Sequence, residues 1–193
     1  FDGIEDYVGI NDTATYLDFP GSSGSLNMTW SFWTNSLNYS GFYCPIGKGS
    51  RGGGIMFCFN ATSQTQTSAM ACSIISNVLS CSTNFSLSKV SGWTHMTYVY
   101  NPTLDNIQIY EDASLKGTTT SFLPVSDTSS PYFIGSGFGP ISVPTTSYHF
   151  KGGVDEFLIF NRSLNSSEIN ALYNSTVFHT NLTDLRPGNH SFQ

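Results

Sequence analysis

Large and small, apolar and polar residues alternate along most of this chain. In the stretch 26–34, Leu26, Met28, Trp30 and Phe32 fall on one register and Asn27, Thr29 and Ser31 on the other. That period of two predicts a strand with the first set in a core and the second facing out. From Trp93 to Asn101 both registers are bulky: Trp93, His95, Thr97 and Val99 alternate with Thr94, Met96, Tyr98 and Tyr100. Such a strand is covered on both faces and belongs at the centre of a sheet. Residues 154–160 read the same way. Asn106–Glu111, with Ile107 and Ile109 inward, returns along the central strand across a turn at 101–105.

Other strands are marked by turn residues. Residues 42–48 and 55–60 flank the Gly-rich segment 47–54, and 69–75 and 78–83 flank Ser76-Asn77. Both pairs predict hairpins. Shorter strands are expected at 1–10, 16–19 (stopped by Pro20-Gly21), 115–120, 122–125, 132–135 and 148–151. One helix follows the last strand. Asn165 is a good N-cap, Glu168 three residues on completes a capping box, and Ile169 and Leu172 start an apolar stripe. The fold class is therefore all-β, a two-sheet antiparallel jelly-roll sandwich with one short C-terminal helix.

Composition narrows the setting. Charged residues make up 10% of the 193 and aromatics 15%, against a usual charged share of about 25%. A surface so poor in charge needs another source of hydration. Ten of the fifteen asparagines head an Asn-X-Ser/Thr sequon: Asn11, Asn27, Asn38, Asn60, Asn84, Asn161, Asn165, Asn174, Asn181 and Asn189. Ser and Thr fill about a quarter of the chain, so chance predicts roughly four. The excess points to N-glycosylation and a secreted or cell-surface protein. A formal net charge of −6 argues against nucleic acid as a partner, and no apolar run is long enough to span a membrane.

Four cysteines suit that oxidising compartment. A two-residue turn at Ser76-Asn77 pairs Ile75 with Val78 and sets Cys72 opposite Cys81, at a non-hydrogen-bonded position where strands approach most closely. Cys44 and Cys58 bracket the other hairpin. The expected bridges are Cys44–Cys58 and Cys72–Cys81, with Cys58–Cys72 across the next hairpin as the rival. No CxxC spacing suggests zinc.

Several segments match one ordered pattern: Phe1-Asp2-Gly3 with Asp6-Tyr7-Val8; Met28 to Trp33; Gly92 to Asn101; Gly152 to Leu164; and Ser167-Glu168-Ile169 with Ala171-Leu172-Tyr173. Together, over about residues 1–174, they resemble the laminin G-like, concanavalin A-like jelly-roll family. The resemblance implies two face-to-face antiparallel sheets with the first and last strands adjacent. It implies no single activity, since the fold hosts lectins, adhesion modules, glycanases and structural repeats. Some members hold Ca²⁺. Asp2 and Asp155 are the candidate oxygen ligands here, with Asp6 and Glu156 near them.

Catalytic chemistry is not indicated. A glycanase needs carboxylates close together on one strand face, whereas Asp155-Glu156 and Glu111-Asp112 are adjacent and point apart. His95 has no evident Ser or Cys partner and reads as a satisfied structural histidine. Tyr39, Tyr43 and Tyr148 are the aromatics considered for stacking on sugars. Residues 175–193 lie past the family pattern and are polar and sequon-rich. Their apolar members Val177, Phe178, Leu182 and Leu185 are the anchors expected to pack this tail on its own domain or on a neighbouring copy. The expected function is thus a non-enzymatic, N-glycosylated structural subunit that joins copies of itself into a surface filament or coat. The alternative is a carbohydrate-binding adhesion module, with or without Ca²⁺.

Overall fold

The computed structural model describes residues 1–4, 6–11, 26–36, 41–50, 53–63, 66–75, 78–88, 92–122, 130–137 and 148–180. They form β1 (Val8–Ile10), β2 (Met28–Ser36), β3 (Gly41–Ser50), β4 (Gly53–Ser63), β5 (Gln66–Ile75), β6 (Val78–Cys81), β7 (Phe85–Ser86), β8 (Thr94–Asn101), β9 (Asn106–Glu111), β10 (Ser114–Thr120), β11 (Tyr132–Ile134), β12 (Gly152–Phe160) and α1 (Ser166–Thr180). Two antiparallel sheets result. One runs β1-β11-β3-β4-β5-β6, with β7 also on β5; the other runs β10-β9-β8-β2-β12.

The alternating residues of β2 and β8 explain the layering. Trp30, Phe32, Met96 and Tyr98 point inward and meet Ile55, Phe57 and Phe59 of β4. The Phe57 and Tyr98 rings lie 4.4 Å apart, and the Trp30 indole N–H donates to the Tyr132 hydroxyl at 3.1 Å. Burying each of these aromatics is worth about 1.5–3 kcal/mol, so this cluster dominates the sandwich. Strand β8 does sit centrally, between β2 and β9. The chain's start meets its last strand through an Asp2–Lys151 bridge and through paired backbone bonds between Phe1 and Gly152.

Several expectations change in detail. Among the described residues of the first ten, 8–10 form a strand, and Leu26 is exposed rather than in the core. The predicted strand at 16–19 lies outside the described residues. Phe122 is buried beyond the end of β10 and not in a strand, and β7 was not anticipated. The helix runs through Thr180, past the Asn174 at which the family pattern ends. Thr29 and Ser31 point out of the sandwich as expected, yet both are buried. Helix α1 covers their face of the five-stranded sheet, packing Ile169 and Leu172 against Val99, Tyr110 and Phe160. Thr29 is satisfied there, donating to the Arg162 carbonyl at 2.8 Å and accepting from Leu164 N–H at 3.0 Å.

Two buried charges were not anticipated. The Lys48 ammonium donates to the Ser130 carbonyl at 2.9 Å and lies 5.2 Å from the Tyr132 ring centre. The Glu111 carboxylate accepts the Ser88 N–H at 2.8 Å and faces the Lys116 ammonium at 2.9 Å. Each ties a connection to a strand, and a buried charge with such partners is tolerated where a lone one is not.

Candidate functional site

The chemistry-bearing side chains collect on the outer face of the five-stranded sheet. His95 and Trp33 are in register across β8 and β2, and α1 lays Tyr173 over both. The Trp33–His95, Trp33–Tyr173 and His95–Tyr173 ring centres are 5.2, 5.8 and 5.8 Å apart. Beneath them Ser31 Oγ and His95 Nε2 share a hydrogen bond of 2.7 Å. The expectation that His95 lacks a Ser partner is corrected here. Ser31 and His95 lie 64 positions apart in sequence, and only strand pairing brings them together. His95 is also not a fully satisfied histidine, because its Nδ1 is buried without a partner.

Ser31, His95 and Asp112 have the residue types of a nucleophilic triad but not its geometry. Asp112 Oδ1 accepts the backbone N–H of His95 at 2.9 Å, while a triad needs that carboxylate on the ring nitrogen opposite the serine. Ser31 and His95 are each about 1% exposed, so no substrate reaches the hydroxyl. Burial holds the imidazole pKa down at about 4, against a weaker upward pull from the Asp112 carboxylate. The ring is therefore neutral at physiological pH.

The carboxylates considered for Ca²⁺ are engaged locally. Asp2 Oδ1 accepts Ile4 N–H at 2.8 Å, and Asp6 Oδ2 accepts Asp2 N–H at 3.2 Å. Asp155 Oδ1 accepts the N–H of Glu156 at 2.8 Å, at a bulge where Glu156 takes φ 49°. Among the described residues no three His, Cys, Asp or Glu side chains converge on a metal position.

Cys44 is bonded to Cys58, and Cys72 to Cys81. Cys72 and Cys81 are paired in register, and the neighbouring Ser82-to-Ala71 backbone bond of 2.7 Å places them at a non-hydrogen-bonded position. Cys44 sits in a β3 bulge opposite Cys58. Cys44, Cys58 and Cys72 form a buried cluster with Met56 and Met70 on the outer face of the larger sheet, edged by Phe42 and Tyr148, while Cys81 is exposed. Of the sequons, Asn11, Asn84, Asn161, Asn165 and Asn174 are exposed, whereas Asn27 and Asn60 are half-buried. Asn27, expected to face outward, has its carbonyl oxygen buried without a partner. Asn38, Asn181 and Asn189 lie outside the described residues.

Of the aromatics considered for sugars, Tyr43 is a core residue stacked near Phe59 and Phe150. Tyr148 is half-buried against Phe42, and Tyr39 lies outside the described residues. Among the described aromatics at the helix-covered face, Trp93 is exposed while Tyr173 and Phe160 are half-buried. Trp93 is 40% exposed, and a Cβ on Gly153 would come within 2.7 Å of its indole. Gly153 pairs with Asn35, and Asp155, two residues further along β12, pairs with Trp33. Sequence reasoning placed Trp93 on this face but could not see Gly153 beside it.

The family model for the concanavalin A-like lectin/glucanases superfamily matches residues 2–170. The chain belongs to this superfamily. Among curated proteins, none matches the chain by sequence. Solved structures match it by fold. One is the native heptameric SAP-like pentraxin from Limulus polyphemus, at TM-score 0.62 and 10% identity, over 90% of this chain and 83% of that one. Another is the binding domain of botulinum neurotoxin serotype D, at TM-score 0.62 and 16% identity, over 90% of this chain and 42% of that one. A third is botulinum neurotoxin type C, whose cell entry depends on two ganglioside molecules. It matches at TM-score 0.55 and 19% identity, over 89% of this chain and 45% of that one. The chain thus spans less than half of these toxin chains, and at such identities the likeness is one of fold.

Proposed function

We propose that the chain is a non-catalytic, glycan-binding adhesion module of an extracellular surface, carrying N-linked glycans of its own. The observation that carries this reading is the exposed Trp93 beside Gly153, whose strand partner is Asn35 and which precedes Asp155 by two residues on β12. A sugar ring offers C–H groups that stack on an aromatic face and hydroxyls that seek amide and carboxylate partners. A net charge of −6 disfavours anionic sugars, so neutral glycans are the ligand class. Support also comes from the lack of an accessible nucleophile at Ser31, from the disulfides and from the lectin-containing superfamily to which the chain belongs. Among the described residues no helix is long and apolar enough to cross a membrane.

The test is a panel of immobilised glycans probed with wild type and Trp93→Ala, each with Ca²⁺ and with chelator. Retention of neutral glycans by wild type, lost in Trp93→Ala and indifferent to chelator, is expected. Retention unchanged by Trp93→Ala, or glycan turnover, overturns the reading.

A second reading is an assembling filament or coat subunit. It is favoured by β1, whose exposed Val8 and Ile10, with Ile4 and Tyr7 nearby, make an apolar strip of the kind that pairs with another chain. Light scattering of the glycosylated protein, with and without residues 181–193, separates the two. Large regular particles that disperse on truncation support assembly, and a monomer excludes it.

A further inference from the structure

Helix α1 rests on an unusual seat. A helix normally buries its apolar stripe against apolar side chains. Here Ile169, Leu172 and Tyr173 lie over a sheet face that also carries Thr29, Ser31, His95 and Thr97, all buried. Ser31 and His95 bond to each other, but His95 Nδ1 and Thr97 Oγ1 have no partner. A buried polar atom without a partner costs about 1–3 kcal/mol, recovered when water returns. Both orphans sit under the same helix, so lifting α1 hydrates both.

We propose that α1 is an acid-released latch, which protonation of His95 drives off the five-stranded sheet while the remaining sandwich stays folded. The groups facing His95 are Ser31 and Trp33 from β2, Asp112 from the β9–β10 turn and Tyr173 from α1. Asp155, in the same cross-strand row on β12, is exposed. Asp112 favours the imidazolium, yet burial outweighs it and holds the ring neutral down to about pH 4. With α1 lifted, the ring returns to its ordinary value near 6.5. Lifting therefore takes up a proton as pH falls below that value, and the opening equilibrium rises about 25-fold between pH 7.5 and pH 5.

Glu168 sits in the cap of the same helix. Its carboxyl is held below its usual 4.5 by the Asn165 N–H and by Arg162, so it stays ionised across this window. The state produced exposes Ser31, His95 and the underside of α1. It is a second surface for a module whose first, in the reading above, is Trp93.

Hydrogen exchange read by mass spectrometry tests this on the intact glycosylated chain, after correction for the intrinsic pH dependence of exchange. Peptides spanning 166–175 are expected to lose about 25-fold protection from pH 7.5 to pH 5, while those from β4 and β5 hold theirs. In His95→Gln, α1 protection is expected to be independent of pH in this window. Unchanged protection of α1 in wild type overturns the proposal. So does equal loss in helix and strands, or an unaltered acid response in His95→Gln. Should His95→Gln fail to fold, the wild-type His95 ring resonance is followed by NMR. One shared midpoint with α1 protection supports the latch, and separate midpoints overturn it.

Discussion

Ser31 on β2 and His95 on β8 are joined side chain to side chain at 2.7 Å, with both residues closed off from water. The bond spans the strand pair that bears the helix. Each side chain would be an unsatisfied polar group without the other. Ser31→Ala removes the partner of Nε2 and leaves both ring nitrogens of His95 without one. It is expected to cost about 1–3 kcal/mol of unfolding free energy. Urea unfolding measures this directly, and a change below about 0.5 kcal/mol, the size of an ordinary surface substitution, would sink the assignment.

The same histidine couples stability to acidity. Its folded value of about 4 lies below its ordinary value of 6.5, so the native state binds fewer protons than the unfolded chain. Its stabilising effect is complete above pH 6.5 and is lost as pH falls through the folded value. Between pH 7.5 and pH 5 the loss is about 2 kcal/mol. Urea midpoints at those two pH values should show it in wild type and not in His95→Gln.

The sulfur cluster makes a third expectation. The bridges close loops of 14 and 9 residues, each worth about 3 kcal/mol on a chain-entropy account, the shorter slightly less. Cys72→Ser/Cys81→Ser also places a hydroxyl beside Met56 and Met70 in a buried, sulfur-lined cluster. The double variant should unfold at lower urea by at least the entropic amount. Cys44→Ser/Cys58→Ser should do so too, because both of its cysteines are fully buried. Equal midpoints for wild type and either variant would falsify a structural role for that bridge.

Alternation made most of the sandwich legible. Trp30 and Phe32, or Met96 and Tyr98, announce a core face by spacing alone, and the hairpins followed from Gly, Asn and Pro between them. The cap at Asn165 and Glu168 was equally plain, because a capping box is local. What stayed hidden is what the chain lays over the second sheet face. Thr29 and Ser31 read as water-facing because nothing in a strand distinguishes a polar residue beneath a helix from one in solvent. Ser31 meeting His95, and Trp93 meeting Gly153, depend on strand register between distant segments. The buried Lys48 and the bulge at Glu156 were invisible for the same reason: each is fixed by a partner from another part of the chain. The direction of Asp155 was hidden too, because its Oδ1 accepts the Glu156 N–H at a bulge that only pairing with β2 defines.

Asn165 has two roles that one series of variants can separate. Its Oδ1 accepts the N–H of Glu168 at 3.0 Å, and Glu168 Oε2 accepts the N–H of Asn165 at 2.9 Å. Arg162 closes the corner on the same carboxylate at 2.7 Å. Asn165 also heads an exposed sequon, and a glycan on Nδ2 leaves Oδ1 to cap. Asn165→Ala loses cap and sequon and is expected to cost about 1 kcal/mol. Asn165→Asp loses only the sequon and should match unglycosylated wild type. The Glu168 carboxyl is held below its usual range by the Asn165 N–H first and Arg162 second. Its contribution is therefore present above pH 4.5 and fades as pH falls through the lower folded value. The Asn165 N–H is backbone and survives either substitution, so acid should weaken the Asp and Ala variants alike through Glu168, on top of the difference between them at pH 7. Glycopeptide mapping of the secreted wild type should find Asn165 occupied. If Asn165→Ala and Asn165→Asp unfold alike at pH 7, the cap contributes nothing, and helix α1 is held by Ile169 and Leu172 alone.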